Sequence, residues 1–210
     1  MRGIYLVTDR DLCGQMTLED VVLQSVKSGV AYVQLREKNV TTRFFVEEAK
    51  RIKELLSPYK IPLIINDRVD VALACGAEGV HIGQADMPYQ LARKIMGTKA
   101  IIGLSVENWQ DVEESQKLDV NYIGVSPVFA TPTKTDTKEP WGLEGLKKIK
   151  TVSRHPLVAI GGINNSNARD VIAAGADCIA VVSAICAASD PAAATLNLQK
   201  IINYYKINTE

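Results

Sequence analysis

At 210 residues the chain fits one domain or two small ones, because single hydrophobic cores run to roughly 250 residues and α/β barrels stay whole at that size. Its 24 Lys and Arg balance 24 Asp and Glu, and aromatic residues make up only 6%, which excludes the basic, stacking-rich signature of a nucleic-acid binder. Hydrophobic residues at 47% and charged residues at 23% match ordinary globular usage and exclude a disordered chain.

The first apolar run, residues 3 to 8, is too short for a signal peptide and reads as a buried strand. No later stretch approaches the roughly 20 apolar residues of a membrane span, so a soluble, cytoplasmic protein with no membrane partner is expected. Thr17 ahead of Leu18, with Asp20 three residues on, forms a weak capping box that starts a helix. A second strand follows at 31 to 35, after Gly29. The spacing of Phe45, Ala49, Ile52 and Leu56 then places one apolar face on a helix. Further apolar runs at 62 to 65, 79 to 82, 100 to 104, 121 to 125, 157 to 160 and 178 to 182 complete a set of eight candidate strands. Several begin from the same joint, in which a glycine suited to a helix C-cap (Gly29, Gly76, Gly175) leads into the strand. Asp190 and Pro191 supply an N-cap and a first-turn proline for a final helix. Cys13, Cys75, Cys178 and Cys186 show no CxxC pairing and read as buried thiols rather than zinc ligands.

Strands alternating with helices imply a parallel sheet, and near-continuous apolar strands imply that both faces are covered. Eight units in 210 residues leave about 26 residues each, enough for a strand, a helix and two short loops. The expectation is an α/β fold, a single-domain (β/α)8 TIM barrel over residues 1–210. An open doubly wound sheet is the rival that periodicity alone leaves standing.

In such a barrel the loops after the strands gather at one face, where active sites lie. Those positions here hold Gln34, Arg36 and Lys38; Asn66, Asp67 and Arg68; Gln84 and Asp86; Ser105; Ser126 and the run Thr131-Pro132-Thr133-Lys134; Gly161 and Gly162; and Val182 with Ser183. Each has a plainer reading when taken alone. Asn66 and Asp67 suit helix caps, as does Asp86 ahead of Pro88, Arg36 to Lys38 suit a solvated charge run, and His81 suits a core. Joint placement favours function, since caps do not also require carboxylates, cations and a Gly-Gly turn at one mouth. Asp67 and Asp86, with Asn66 beside them, suit Mg²⁺, a hard cation completed by water and phosphate oxygens. Arg36, Lys38 and Lys134 suit a diphosphate, and Gly161-Gly162 with Val182-Ser183 suit a second phosphate. There is no Ser-His-Asp set, no histidine-rich zinc spacing and no glycine-rich dinucleotide fingerprint, so no acid or base residue is assigned.

The segments Val33 to Lys38, Ile65 to Asp70, Gly79 to Asp86, Ile102 to Ser105, Tyr122 to Phe129, Thr131 to Lys134 and Ala159 to Ile163 resemble, in order and over nearly the whole chain, the thiamine-phosphate synthase family. The resemblance implies a (β/α)8 barrel that joins aminohydroxymethylpyrimidine diphosphate to a thiazole phosphate, giving thiamine phosphate and diphosphate with Mg²⁺. Carried over by position, it implies that Gln34, Leu35, Arg36, Glu37, Lys38, Asn66 and Lys134 line the pyrimidine diphosphate site and that Ser105 contacts the pyrimidine. It likewise implies that Asp67 and Asp86 hold Mg²⁺, and that Thr131, Pro132, Thr133, Gly162, Val182 and Ser183 bind the thiazole phosphate. The loop from Thr135 to Trp141 carries little of the family pattern and is assigned only a lid role. Two other readings stay open: a thiazole tautomerase-like isomerase and a non-catalytic binder of thiamine intermediates. A homo-oligomer is compatible with all of them, although no long exposed apolar stripe marks an interface.

Overall fold

The computed structural model of the chain describes residues 1–131 and 138–207. Its elements run β1 (Gly3–Val7), α1 (Leu18–Lys27), β2 (Val30–Leu35), α2 (Thr42–Leu56), β3 (Leu63–Asn66), α3 (Val69–Cys75), β4 (Gly79–Ile82), α4 (Tyr89–Met96), β5 (Ile101–Val106) and α5 (Trp109–Ser115). They continue with β6 (Tyr122–Val125), α6 (Gly142–Val152), β7 (Leu157–Ile160), α7 (Ala168–Ala173), β8 (Cys178–Val181), α8 (Ser183–Cys186) and α9 (Pro191–Ile207). Every strand pairs in parallel with its sequence neighbours, and β8 pairs with β1 through Gly3–Cys178 to Leu6–Val181, so the sheet is a closed barrel. The open-sheet rival is thereby removed.

Residue alternation sorts each strand between two cores. Ile4, Leu6, Val33, Leu35, Val80, Ile82, Ile102 and Leu104 face the helices and form the outer core with the helical stripes. Tyr5, Val7, Ile64, Tyr122, Val158, Cys178 and Ala180 form a second cluster, contributed by the alternate positions of the strands and filling the barrel. On α2 the residues Phe45, Ala49, Ile52 and Leu56 are all buried, each large one contributing about 1.5–3 kcal/mol. The helix starts follow the sequence: Thr17 Oγ1 accepts from the Asp20 N–H at 3.1 Å, and Asp190 Oδ1 accepts from the Ala193 N–H at 2.8 Å. All four cysteines are buried free thiols. No helix among the described residues is long and apolar enough to cross a membrane.

Two of the plainer readings fail. The N-cap of α3 is Arg68, with no side-chain cap bond, so Asn66 and Asp67 do not cap it. The N-cap of α4 is Pro88, again without a side-chain bond, and Asp86 Oδ2 instead accepts from the Gly83 N–H at 2.7 Å, closing its own loop.

Candidate active site

A cavity of about 440 Å³ opens at the C-terminal ends of the strands, a normal size for a small-molecule site. Its lining includes Gln34, Arg36, Lys38, Asn66, Asp67, Asp86, Ser105, Thr131, Gly162, Val182 and Ser183. These come from the ends of seven strands, β2 to β8, which the closed barrel brings to one mouth.

Alternation decides how the segment after β2 contributes. Gln34, Arg36 and Lys38 line the cavity. Leu35 points the other way, fully buried in the outer core. Glu37 also turns away from the cavity, where Arg10 Nη2 donates to it at 3.1 Å and Arg10 also bonds the fully buried Glu48 of α2. Burial, followed by the neighbouring Glu48, pushes the Glu37 carboxyl up to about 7 against the pull of Arg10. The triad ties the segment to α2. Arg36 is held at its backbone, where its N–H donates to Thr8 Oγ1 at 3.0 Å.

The carboxylates stand at the ends of β3 and β4. Asp67 adopts φ of 61°, a left-handed conformation that Asp tolerates, and its N–H donates to the His81 carbonyl at 2.8 Å. Lys38 Nζ donates to Asp67 Oδ2 at 2.5 Å. Burial works to raise the Asp67 pKa, yet the bonds from Lys38 and Asp86 and the charge of Lys38 outweigh it and hold it below the usual range. Asp86 moves the other way, raised by burial and then by the Asp67 carboxylate. Two neighbouring carboxylates with opposed shifts are a pair that a cation would stabilise in its fully ionised form. Among the described residues no group of three or more His, Cys, Asp or Glu converges, so any metal here would rest on two carboxylates plus oxygens from elsewhere. Arg68 takes no part; it bonds Asp70 and Thr42 on the surface. Beside the pair, the buried Asn66 amide nitrogen has no hydrogen-bond partner among the described residues, a donor that a ligand in the cavity would satisfy.

Across the mouth, β7 runs into Gly161 and Gly162, whose φ values of 104° and 65° suit glycine. A Cβ on Gly162 would stand 2.8 Å from the Ala130 carbonyl oxygen. Asn167 Nδ2 donates to the Gly162 carbonyl at 2.9 Å and fixes the turn, which faces the junction of β8 with α8 at Val182 and Ser183. Pro132, Thr133 and Lys134 lie outside the described residues, as do 135–137 of the expected lid. At the end of that loop Trp141 is anchored, its N–H donating to the Pro127 carbonyl at 2.9 Å and its ring edge-on to Trp109.

Sequence reasoning missed Tyr5 and Tyr122, and read His81 as a core residue. All three line the cavity, and His81 is only half-buried, with Nδ1 3.0 Å from the Tyr122 hydroxyl and Nε2 2.8 Å from Ser105 Oγ. The signal available was polar aromatic residues at inward positions of otherwise apolar strands, where each polar tip needs a partner.

Comparison with known proteins agrees with the barrel fold and places the chain in a family. A family model described as "Thiamine monophosphate synthase" matches residues 4–185. The thiamine-phosphate synthase of Albidiferax ferrireducens is 57% identical over 200 residues, covering 95% of this chain and 91% of that protein. That of Leptospira biflexa serovar Patoc is 56% identical over 203 residues, covering 95% and 97%. Among solved structures, the thiamine phosphate pyrophosphorylase from Pyrococcus furiosus superposes with a TM-score of 0.88 at 39% identity, covering 97% of this chain and 96% of that one.

Proposed function

The chain belongs to the thiamine monophosphate synthase family, and from that premise we propose that it is a thiamine-phosphate synthase, a transferase that condenses 4-amino-5-hydroxymethyl-2-methylpyrimidine diphosphate with a thiazole phosphate. The observation that supports the reading is that one barrel mouth carries two sets of groups suited to anions, or poles, on different strands. β2 to β4 supply Arg36, Lys38, Asn66, Asp67 and Asp86, and β7 and β8, across the ring, supply the Gly161-Gly162 turn and the Val182-Ser183 junction. A diphosphate fits the first pole and a monophosphate the second.

The reaction is a substitution in which the bond from the pyrimidine methylene carbon to diphosphate oxygen breaks and a bond to the thiazole nitrogen forms. The pyrimidine amino group pushes electrons toward the departing diphosphate, and no group of the protein has to move a proton. Arg36, Lys38 and Lys134 neutralise the leaving charge, the Asn66 amide donates to it, and the glycine turn holds the thiazole phosphate so that its ring nitrogen faces the reacting carbon. Asp67 and Asp86 fit Mg²⁺, as two hard carboxylates with like charge at one place, and when bound the ion supplies further charge neutralisation at the diphosphate. Residues 1–210 act as one domain in this reading, and four free thiols suit a reducing cytoplasm. An isomerase that shifts a proton on a single thiazole phosphate would have no use for the first pole.

The test is one assay: purified protein, both substrates and Mg²⁺, with thiamine phosphate and diphosphate followed together. The expected result is equal amounts of the two products, dependent on the metal. Interconversion of thiazole phosphate tautomers without diphosphate release would overturn the assignment in favour of an isomerase, and binding without turnover would overturn it in favour of a sensor.

A further inference from the structure

Five side chains from five strands form one continuous hydrogen-bonded chain across the cavity floor. Gln34 Nε2 on β2 donates to the Tyr5 hydroxyl on β1 at 3.0 Å, and the Tyr5 and Tyr122 hydroxyls are 2.9 Å apart. From Tyr122 on β6 the chain passes to His81 on β4 and ends at Ser105 on β5. The sheet makes room for it: a Cβ on Gly103 would stand 2.0 Å from the Tyr122 ring, and one on Gly124 would stand 3.0 Å from His81 Cε1. Tyr5 and Tyr122 are fully buried, so an unsatisfied hydroxyl there would cost on the order of 1–3 kcal/mol.

That requirement fixes the direction of every bond. An amide nitrogen only donates, so the Tyr5 oxygen receives a proton from Gln34 and must place its own on Tyr122. Tyr122 then donates to His81 Nδ1, which leaves the neutral imidazole with its proton on Nε2, pointing at Ser105 Oγ. The opposite direction would leave the Tyr5 proton without an acceptor. Burial raises both phenols, so neither loses its proton in the working range. The two ends are thus set in opposite senses. Gln34 meets a ligand through its carbonyl oxygen, an acceptor, and Ser105 meets it through its O–H, a donor.

We propose that Tyr5, Tyr122 and His81 are positioning residues that hold Gln34 as an acceptor and Ser105 as a donor, so that the floor reads an aminopyrimidine by its exocyclic N–H and its ring nitrogen. The inference rests on the pyrimidine substrate assigned above. The 4-oxo analogue of that substrate presents a carbonyl where the amine would be, and against the Gln34 carbonyl it meets an acceptor with an acceptor.

The experiment compares kcat/KM for the aminopyrimidine diphosphate and for its 4-oxo analogue in the wild type and in Tyr122→Phe. In the wild type the amino substrate is preferred. In Tyr122→Phe the preference falls about tenfold, the scale of one net hydrogen bond, and KM rises for the pyrimidine while KM for the thiazole phosphate stays within about twofold. His81→Gln, which offers both a carbonyl and an amide N–H, retains more of the preference than His81→Ala. An unchanged preference in a folded Tyr122→Phe, or a parallel rise of both KM values, would overturn the proposal. Tyr5→Phe breaks the same chain at its other end and carries the test if Tyr122→Phe fails to fold. Wild-type protein that makes no thiamine phosphate would instead sink the activity itself, an outcome separate from the role of the chain.

Discussion

Gly162→Ala probes the monophosphate pole through backbone geometry. Its φ of 65° costs a residue with a Cβ about 1–2 kcal/mol, and for a chain of this size each kcal/mol lowers Tm by about 2–4 °C, so a fall of about 2–8 °C is expected. The new Cβ would also lie 2.8 Å from both the Ala130 carbonyl oxygen and Phe129 Cβ, closer than real contacts allow, so the turn must move away from them. Displacing one backbone N–H from a charged phosphate removes about 1.5–3 kcal/mol of binding, or roughly 10- to 150-fold in KM for the thiazole phosphate, with KM for the pyrimidine diphosphate unmoved. Gly14→Ala is the control: φ there is 62° with no atom within 4 Å of the added Cβ, so it carries the strain without the collision. Steady-state kinetics with each substrate varied in turn, beside thermal melts of both variants, make the measurement. A folded Gly162→Ala with normal thiazole phosphate KM would refute the placement of the phosphate at this turn.

Asp67→Asn keeps a residue that tolerates φ of 61° while removing the charge, and both it and Lys134→Ala should slow turnover by about 100-fold or more with far-UV circular dichroism unchanged; near-normal rates would contradict the diphosphate pole. Glu37, raised from 4.5 to about 7, binds more protons folded than unfolded between those values, so its contribution favours the fold at low pH and is lost as pH rises through 7. Glu37→Gln removes that dependence. Melts at pH 5 and pH 8 should show wild type losing about 2–4 °C more than the variant, about 1 kcal/mol after allowing for solvent screening, and parallel shifts would count against the coupling of Glu37 to Glu48.

The barrel is legible in the sequence because its signals are local. Apolar runs, glycine joints and the Thr17 and Asp190 caps place strands and helices to within a residue or two of where they fall. The ring of polar residues is legible for the same reason: a residue just past a strand's end must lie at the mouth once the barrel closes. What remained hidden depends on partners distant in sequence. Leu35 and Glu37 share a motif with the cavity residues, but an extended backbone sends alternate side chains to opposite faces. Arg10 meets Glu37 and Glu48 only through the fold, and nothing near His81 in sequence announces that Tyr122 and Ser105 will flank it. Asp67 and Asp86 sit where caps are expected, and only the observed caps, Arg68 and Pro88, remove the capping role.

The pairing of β8 with β1 joins residues at opposite ends of the chain, Gly3 with Cys178 through Leu6 with Val181. On the proposed assignment, the residues of the diphosphate pole from β2 to β4 emerge early in synthesis, and the monophosphate pole, begun at the turn after β7, is completed only with the final strand. A nascent chain would therefore have an incomplete second pole until the ring shuts through the pairing of β8 with β1, and contacts of such long sequence separation form slowly.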